Sequence, residues 1–521
     1  MSEAMTATST LADQTPQTRK GNGRIWQAMV VTHRYLGVAM ALLMLVWFLS
    51  GIVMMYVPYP QRGETERAGA LPEISWAACC NFSAVPAADN DIVARAQLEN
   101  VAGQPVLRLR RPSHDDVIAD LKQGRILEIG EEEARQVAAD SAERILDGAE
   151  VISAELIDYD QWTVGDNGVG RRPVYRISYD DPGGTRLYVS AVTGEVIVWT
   201  TRAQRFGNWF GAIPHWLYFS TLRSNGPLWV QIIIWTSILG TFLTVIGLYL
   251  GIMRFRVSKT GRLSPYSGWF YWHHLTGLAF GIVTLTWVAS GLFSMNPWGF
   301  LESHPDDAAE RLAGPAQNWA SIRSSLEAID IDPMDGIVSL TSLPLDGNLY
   351  WLARFEDGRV LRLDENGNPR NASAEELGEA AQRLAGENPL EAASLSESED
   401  AYYFRFQGFA ERDPLVLPVY RVIVSDEERT RYYLDPSNGQ LLERVDSAGR
   451  GYRWLFNGLH RLDFTAGLRM RPLWDFIVLF LMIGGTIGVG TGFYLAIRRI
   501  GLDLRQLSKR RTPARKSSPL P

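Results

Sequence analysis

Four long apolar segments limit what this chain of 521 residues can fold into. They extend over about residues 37–57, 228–253, 275–295 and 473–497. A helix of about 20 apolar residues crosses the hydrocarbon core of a bilayer, so each segment is long enough to span a membrane. The mean hydropathy of the whole chain is only -0.08, because the sequence between these segments has the composition of a soluble protein. The sequence therefore predicts a membrane protein with four spans and large polar segments.

The distribution of basic residues predicts how the four spans are oriented. Basic clusters precede the first span, follow the second and follow the fourth, and they include Arg24, Arg34, Arg254, Arg256, Arg498 and Arg499. Lys and Arg accumulate in the cytoplasmic flanks of membrane helices. We therefore expect both termini and the loop after the second span to be cytoplasmic, and the two large polar segments to lie outside.

The cysteine and glycine patterns exclude two kinds of redox site. The chain has only two Cys, the adjacent Cys79 and Cys80, which rules out a disulfide-rich framework and an iron–sulfur cluster held by cysteines. Gly488 and Gly490 superficially resemble a dinucleotide-binding loop, but they lie inside a span with no preceding strand. The net charge of -7 does not indicate a particular partner, and we expect no nucleic acid among the partners.

An internal repeat relates the two halves of the chain. Identical residues recur 245 positions apart: Pro173 and Pro418, Gly194 and Gly439, His215 and His460, Trp229 and Trp474, Gly247 and Gly492, and Arg254 and Arg499. Around the first and third spans the separation is 240 positions, and the shared residues are His33 and His273, Gly37 and Gly277, Trp47 and Trp287, Ser50 and Ser290, and Gly51 and Gly291. Both copies begin on the same side, so the repeats are parallel and related by an axis along the membrane normal. Such an axis places equivalent residues opposite each other.

Four of the seven histidines form two repeat-related pairs, His33 with His273 (the first pair) and His215 with His460 (the second pair). Each pair could supply two axial imidazoles to one haem iron, since neutral imidazole is a good iron ligand. Gly37 lies one helical turn beyond His33, where a missing side chain leaves room for a flat macrocycle or for close helix packing. An interfacial histidine is also commonly a hydrogen-bonding anchor, and duplication alone would preserve it, so both interpretations remain open at this point.

Other charged residues are candidates for contacts with the same cofactor. His274 has no repeat partner, because Arg34 occupies the matching position; it could replace His273 as a ligand, bond a propionate or face solvent. Arg34, Arg254 and Arg499 could pair with haem propionates, although the orientation bias of basic residues explains them equally well. Two further histidines lie in the polar segments and are expected at the surface: His114 and His304.

These motifs resemble a known family. The segments Trp272-His-His-Leu-Thr-Gly277 and His33-Arg-Tyr-Leu-Gly37 are similar to the PepSY-associated transmembrane family, and the segments beginning at Pro173 and Pro418 resemble the PepSY domain. The resemblance covers about residues 25–500. It implies an α-helical protein of the bacterial inner membrane, in which two parallel repeats form a four-helix transmembrane bundle with two α+β PepSY-like domains in the periplasm.

Family members with an assigned role resemble haem-containing reductases of ferric siderophores. The resemblance therefore implies two b-type haems with bis-histidine ligation, one held by His33 with His273 or His274, and one by His215 with His460. The expected partners are a ferric siderophore or other ferric chelate, membrane lipid, and an electron donor. Because the predicted cytoplasmic segments are too short for a flavin or nicotinamide domain, that donor would be a membrane quinol or a separate reductase.

Two alternative functions remain compatible with the sequence. The protein could be a non-redox binding or regulatory protein whose PepSY domains engage a peptidase or a signalling partner, or it could be a small-solute permease. A permease would be expected to have charges or broken helices within its spans, and the sequence has none beyond Asp475 at one end.

The expected organisation, in chain order, is a disordered cytoplasmic N-terminus (1–24), a first transmembrane segment (25–57), a first periplasmic PepSY-like domain (58–205), an interfacial helix with the second transmembrane segment (206–253), a cytoplasmic loop (254–272), a third transmembrane segment (273–296), a second periplasmic PepSY-like domain (297–450), an interfacial helix with the fourth transmembrane segment (451–497), and a basic cytoplasmic tail (498–521).

Overall fold

The structure is a computed structural model that describes residues 20–74, 79–112, 115–165, 170–257, 261, 263–329, 336–404 and 415–511. Its helices, in chain order, are α1 (Lys20–Met54), α2 (Glu64–Gly69), α3 (Glu131–Ile145), α4 (Arg202–Asn208), α5 (Ala212–His215), α6 (Ser220–Arg223), α7 (Gly226–Arg254), α8 (Trp269–Phe293), α9 (Ala308–Ala313), α10 (Trp319–Ala328), α11 (Ala374–Ala385), α12 (Ser447–Tyr452), α13 (Leu459–Arg461), α14 (Ala466–Arg469) and α15 (Leu473–Arg511).

Its strands, in chain order, are β1 (Arg95–Val101), β2 (Gln104–Arg110), β3 (Val117–Asp120), β4 (Arg125–Ile126), β5 (Val151–Ile157), β6 (Val174–Tyr179), β7 (Arg186–Ser190), β8 (Val196–Thr200), β9 (Ile337–Leu345), β10 (Asn348–Phe355), β11 (Val360–Leu363), β12 (Leu390–Ser396), β13 (Val419–Val424), β14 (Arg431–Leu434) and β15 (Leu441–Val445).

Four of the described helices, α1, α7, α8 and α15, are long and apolar enough to cross a membrane. Their number agrees with the four apolar segments of the sequence. The first and the last extend well beyond the apolar run, to 35 and 39 residues. At about 1.5 Å per residue, either helix is longer than the roughly 30 Å hydrocarbon core requires.

The polar segments contain two small domains of the same design. In each, one helix packs on a four-stranded antiparallel sheet, α3 on β5–β8 and α11 on β12–β15. The buried face of α11 places Leu377, Ala381 and Leu384 against strands β13 and β14. Ser373 and Glu376 form a capping box at the start of α11, as the sequence pattern predicts.

A seven-stranded antiparallel sheet joins the two halves of the chain in the order β11-β10-β9-β1-β2-β3-β4. Strand β1 pairs with β9, and Gln97 lies opposite Thr341. The hairpin turns after these strands, Ala102-Gly103 and Asp346-Gly347, both have positive φ angles and are 244 positions apart. Gln97 and Thr341 are also 244 positions apart, so Gln97 pairs with its own repeat equivalent. A local two-fold axis therefore passes through this strand pair.

The fold class expected from the sequence, an α-helical membrane protein built as a four-helix bundle, is wrong for the chain as a whole. The structure is mixed, with 46% of its residues in helices, 20% in strands and three antiparallel sheets. Local sequence patterns locate single strands, whereas the seven-stranded sheet depends on pairing between segments more than 200 residues apart, which no local pattern specifies.

The chain forms two compact units. The first unit contains residues 1–45, 238–285 and 483–521, so its described part consists mainly of one end of each long helix. The second unit contains residues 46–237 and 286–482, which include the other helix ends and all three sheets.

Candidate functional site

The first histidine pair lies in the first unit, on helices α1 and α8. The ring centroids of His33 and His273 are 6.3 Å apart, and the ring planes are inclined by 34°. Nδ1 of His33 is 3.3 Å from the carbonyl oxygen of Leu243, and Nδ1 of His273 is 3.1 Å from that of Gly488. A carbonyl oxygen can only accept, so each Nδ1 is protonated and donates. The lone pair of each imidazole is therefore on Nε2, the nitrogen that remains able to bind a metal.

Two glycines make room for these imidazoles. A Cβ atom at Gly247 would lie 2.7 Å from Cε1 of His33, and one at Gly492 would lie 3.0 Å from Cε1 of His273. The two glycines are repeat equivalents, 245 positions apart. Both imidazoles therefore rest directly on the backbone of a neighbouring helix in the same way.

A cavity of about 900 Å³ is lined by both imidazoles of the first pair. This volume lies in the upper part of the range of about 300–1,000 Å³ that is usual for cofactor pockets. Gly37 and Gly277 also line the cavity, and a Cβ atom at Gly277 would meet no other atom within 4 Å. A Cβ atom at Gly37 would lie 3.9 Å from Cδ1 of Leu243, which is an ordinary contact. Gly277 thus borders open space and Gly37 leaves room at the cavity wall, as expected if a flat group lies there.

Four arginines line the same cavity: Arg34, Arg254, Arg498 and Arg499. The guanidinium of Arg254 lies over the Trp26 ring at 5.0 Å, whereas Arg499 forms an ion pair with Asp503 at 2.6 Å. Arg34 is exposed and has no ion pair within the described part of the chain. The three arginines predicted to pair with propionates, Arg34, Arg254 and Arg499, therefore lie together at one cavity. Among the described residues, Arg499 is the one of these three that already forms an ion pair.

The ring of His274 has both nitrogens occupied. Nδ1 is 2.8 Å from Oγ of Ser264, and Nε2 is 2.9 Å from the carbonyl oxygen of Gly251. The carbonyl requires a proton on Nε2, so Nδ1 accepts from the serine hydroxyl. The side chain is only 8% exposed. This arrangement favours His273 over His274 as the ligand, because neither nitrogen of His274 has a lone pair to spare.

The second histidine pair lies in the second unit, on the short helices α5 and α13. The ring centroids of His215 and His460 are 6.2 Å apart, and the planes are inclined by 70°. Nδ1 of His215 is 3.1 Å from the carbonyl oxygen of Trp47, and Nδ1 of His460 is 3.3 Å from that of Trp287. As in the first pair, Nδ1 donates and Nε2 has the lone pair.

The backbone after each of these histidines has the same unusual conformation. Leu217 and Leu462, each two residues after a histidine, have positive φ angles of 50° and 54°. A bulky residue is rarely found in this region, which costs of the order of 1–3 kcal/mol. The indole N–H of Trp229 donates to the carbonyl of Trp216 at 2.9 Å, and that of Trp474 donates to the carbonyl of Arg461 at 2.7 Å. A tryptophan at the start of the next long helix thus fixes the loop in both halves.

Burial keeps the second pair neutral. It lowers the pKa of His215 to about 4. It lowers the pKa of His460 to about 3, and the neighbouring His215 and Arg461 reinforce this shift. Both imidazoles are therefore in the uncharged form that binds a metal.

The spacing in both pairs matches two imidazoles on one metal ion. A metal lies about 2.0–2.1 Å from an imidazole nitrogen, and that nitrogen lies about 1.1 Å from the centre of a five-membered ring with bonds of about 1.33 Å. Two rings on opposite sides of one ion therefore have centroids about 6.2–6.4 Å apart. The observed values are 6.3 and 6.2 Å.

Two side-chain ligands are too few for most metal ions. The described residues contain no group of three or more His, Cys, Asp or Glu that could hold one. A haem supplies the remaining ligands from its macrocycle and needs only axial ligands from the protein. At the first pair, the two imidazoles, the cavity and the arginines therefore fit haem better than a bare ion.

A family model matches residues 30–327, which is more than half of the chain, and its description is PepSY-associated TM region. The chain belongs to this family. The PepSY-associated TM match includes His33, His215 and His273 and ends before His460. Together with the four long apolar helices, it establishes that the chain is a membrane protein. None of the curated proteins searched matches the chain.

The sequence of this PepSY-associated TM protein gave no role to several residues that support the histidines. The acceptors at Leu243 and Gly488 are backbone carbonyls, which leave no side-chain signal. Gly247 and Gly492 are repeat-related glycines of the second and fourth spans, where the sequence indicates helix packing rather than contact with a histidine. Of the remaining histidines, His304 is exposed and pairs with Glu428, as a surface residue would, and His114 lies outside the described residues.

Proposed function

We propose that this protein is a haem-containing membrane reductase that passes electrons across the bilayer to a ferric chelate, such as a ferric siderophore, for iron acquisition. The observation that supports the proposal is the common geometry of two histidine pairs. Ring centroids lie 6.3 and 6.2 Å apart, and all four Nδ1 atoms donate to backbone carbonyls. An Nδ1–H bonded to a carbonyl is the usual support for a histidine that binds a metal through Nε2.

The protein would contribute binding, orientation and exclusion of water. His33 and His273 would hold one iron, and His215 and His460 would hold the second. Haem, when bound, supplies reversible one-electron Fe(III)/Fe(II) chemistry. Arg34, Arg254 and Arg499 would pair with propionates at the cavity of the first pair. The long apolar helices would keep water from both sites.

The basic flanks of the long helices support one direction of electron transfer. If these flanks are cytoplasmic, the first pair is at the cytoplasmic end of the spans, and the three sheets lie in the periplasm of a bacterium. The donor would then be a membrane quinol or a separate reductase, and the ferric chelate would be reduced outside. Reduction to Fe(II) weakens binding by hard oxygen ligands, because Fe(II) has a lower charge.

An optical spectrum of the purified protein tests the proposal directly. We expect a reduced spectrum of b-type haem and two haems per chain. His33→Ala and His215→Ala should each remove one haem, while the exposed His304→Ala serves as the matched control and should retain both. A colourless protein would contradict the proposal and favour a binding or regulatory role. Two haems retained in both ligand variants would contradict the assigned ligands.

The substrate requires a separate measurement. Protein reconstituted in vesicles with a reduced quinol should reduce a ferric chelate on the opposite side, detected with a colorimetric Fe(II) chelator. The His215→Ala variant should lose this reaction, and the His304→Ala control should keep it. Full haem content without any Fe(II) formation would exclude a ferric chelate as the acceptor.

A further inference from the structure

We infer that Ser50 and Ser290 are positioning residues that lower the redox potential of the centre held by His215 and His460, an inference that rests on the proposed function. Both serines lie on long helices, α1 and α8, whereas the histidines lie on the short helices α5 and α13. The serines are repeat equivalents, 240 positions apart. The same contact therefore occurs once in each half of the chain.

Ser50 is placed to accept the proton of Nδ1. Its Oγ lies 3.2 Å from Nδ1 of His215 and donates its own hydrogen to the carbonyl of Val46 at 2.6 Å. The hydroxyl hydrogen is thus directed away from the imidazole, and a lone pair of Oγ is free to face Nδ1–H. A hydroxyl that donates onward also becomes a better acceptor, because hydrogen bonds in a chain polarise one another.

Ser290 makes the equivalent contact with His460 but donates to the same carbonyl, that of Trp287, that also accepts from His460. Its Oγ lies 3.0 Å from Nδ1 of His460 and donates to the carbonyl of Trp287 at 3.0 Å. Ser50 and Ser290 are 2% and 0% exposed, so water does not compete for either contact. Each histidine of the second pair therefore has two acceptors around one N–H, a carbonyl and a hydroxyl.

The first pair is supported differently. Nδ1 of His33 contacts only the carbonyl of Leu243 among the described residues. His273 has a hydroxyl acceptor as well, Oγ1 of Thr491 at 3.3 Å. The repeat equivalent of Thr491 is Ile246, which has no hydroxyl. The two pairs thus differ in the number of groups that accept from their N–H bonds.

This difference has a chemical consequence. An acceptor on Nδ1–H raises the basicity of the imidazole at Nε2. A more basic axial ligand stabilises Fe(III) relative to Fe(II), which lowers the reduction potential. The second pair therefore favours a centre that gives up its electron readily, as the reduction of a tightly chelated ferric ion requires.

Redox titration of the double variant Ser50→Ala and Ser290→Ala tests the inference. We expect the double variant to keep two haems per chain. The midpoint potential of the centre that His215→Ala removes should become more positive, and the midpoint potential of the other centre should stay unchanged. A tenfold change in the ratio of Fe(III) to Fe(II) affinity corresponds to about 59 mV for one electron, and we expect a shift of about this size. The matched control is Ser294→Ala, because Ser294 directly follows the end of α8, the helix that contains Ser290. Among the described residues, its hydroxyl bonds only the carbonyl of Gly291.

The outcomes separate the inference from the proposed function. An unchanged midpoint at full haem content, or an equal shift in the Ser294→Ala control, would overturn the inference and leave the haem ligands untouched. If the alanine double variant loses one haem, the double variant Ser50→Thr and Ser290→Thr is measured next, because threonine keeps a hydroxyl at both positions. Retention of haem and potential in the threonine variants supports the hydroxyl role, and loss of haem there contradicts it. A wild-type protein without haem would instead refute the proposed function.

Discussion

The imidazole of His33 rests on the backbone of Gly247, where a Cβ atom would lie only 2.7 Å from Cε1 of the ring. The equivalent contact between His273 and Gly492 would be 3.0 Å. Any side chain at either glycine would displace the imidazole or the helix. The position of both rings in the first pair therefore depends on glycine at these two sites.

We predict that Gly247→Ala lowers the haem content from two to one per chain, because His33 can no longer take its position. The matched control is Gly490→Ala on α15, where a Cβ atom meets no other atom within 4 Å. Alanine in a helix interior is favoured over glycine by about 0.5–1 kcal/mol, so the control should be neutral or slightly stabilising. The measurement is haem content together with thermal unfolding. Normal haem content in Gly247→Ala would show that the contact does not position His33.

A second prediction separates the two adjacent histidines. His273→Ala should remove the haem of the first pair, whereas His274→Ala should retain it. The latter loses two buried hydrogen bonds, to Ser264 and Gly251, and should lower the free energy of unfolding by about 1–3 kcal/mol. Haem content and thermal unfolding of both variants are the measurements. Loss of haem only in His274→Ala would reverse the assignment.

A third prediction concerns the loops that hold the second pair. Trp474→Phe removes the indole N–H that donates to the carbonyl of Arg461. A buried carbonyl left without its donor costs about 1–3 kcal/mol, so the variant should be less stable and should bind the second haem more weakly. Trp235→Phe is the control, because this side chain is 55% exposed on α7. If Trp474→Phe and Trp235→Phe are equally stable, the hydrogen bond from Trp474 to the carbonyl of Arg461 does not stabilise the loop.

A fourth prediction gives a pH dependence outside the long helices. Burial alone would raise the pKa of Asp400, but hydrogen bonds from the backbone of Tyr402 and Tyr403, from Tyr433 and from Arg421 outweigh burial and lower the pKa. A carboxyl whose pKa is lower in the folded state stabilises the fold above its unfolded pKa of about 3.9 and loses this contribution as the pH falls.

Asp400→Asn should therefore destabilise the protein at neutral pH, and the difference from the wild type should shrink as the pH drops below about 4. Thermal unfolding across this range measures the effect. Asp147→Asn is the control, because Asp147 is exposed. A destabilisation that does not change with pH would show that the charge of Asp400 is not the cause.

Much of the secondary structure could be predicted from local pattern. The stretch from Glu131 to Leu146, which is acidic at its start, predicts a helix, and the structure has α3 over Glu131–Ile145. The run Val174 to Tyr179 predicts the strand that the structure contains as β6. These elements are specified by residues that are close in sequence, so their positions can be predicted from one sequence alone.

The site was predictable only in part. Duplication of His33 and His215 suggested two pairs, because symmetry places equivalents opposite each other, and the structure places both pairs with their rings close together. Whether either pair binds haem stays a prediction. The carbonyl acceptors and the left-handed backbone at Leu217 and Leu462 had no sequence signal, since they arise from packing between distant segments.

The pairing of β1 with β9 is the kind of contact that joins two identical chains. Gln97 lies opposite its own repeat equivalent, Thr341, which is the geometry of a strand that associates with an identical strand across a two-fold axis. Two copies of a half-length chain would associate through this edge as a homodimer, and each histidine pair would then take one residue from each subunit. Gene fusion would then have made the partner permanent and allowed the two copies to diverge, as Ile246 and Thr491 have done.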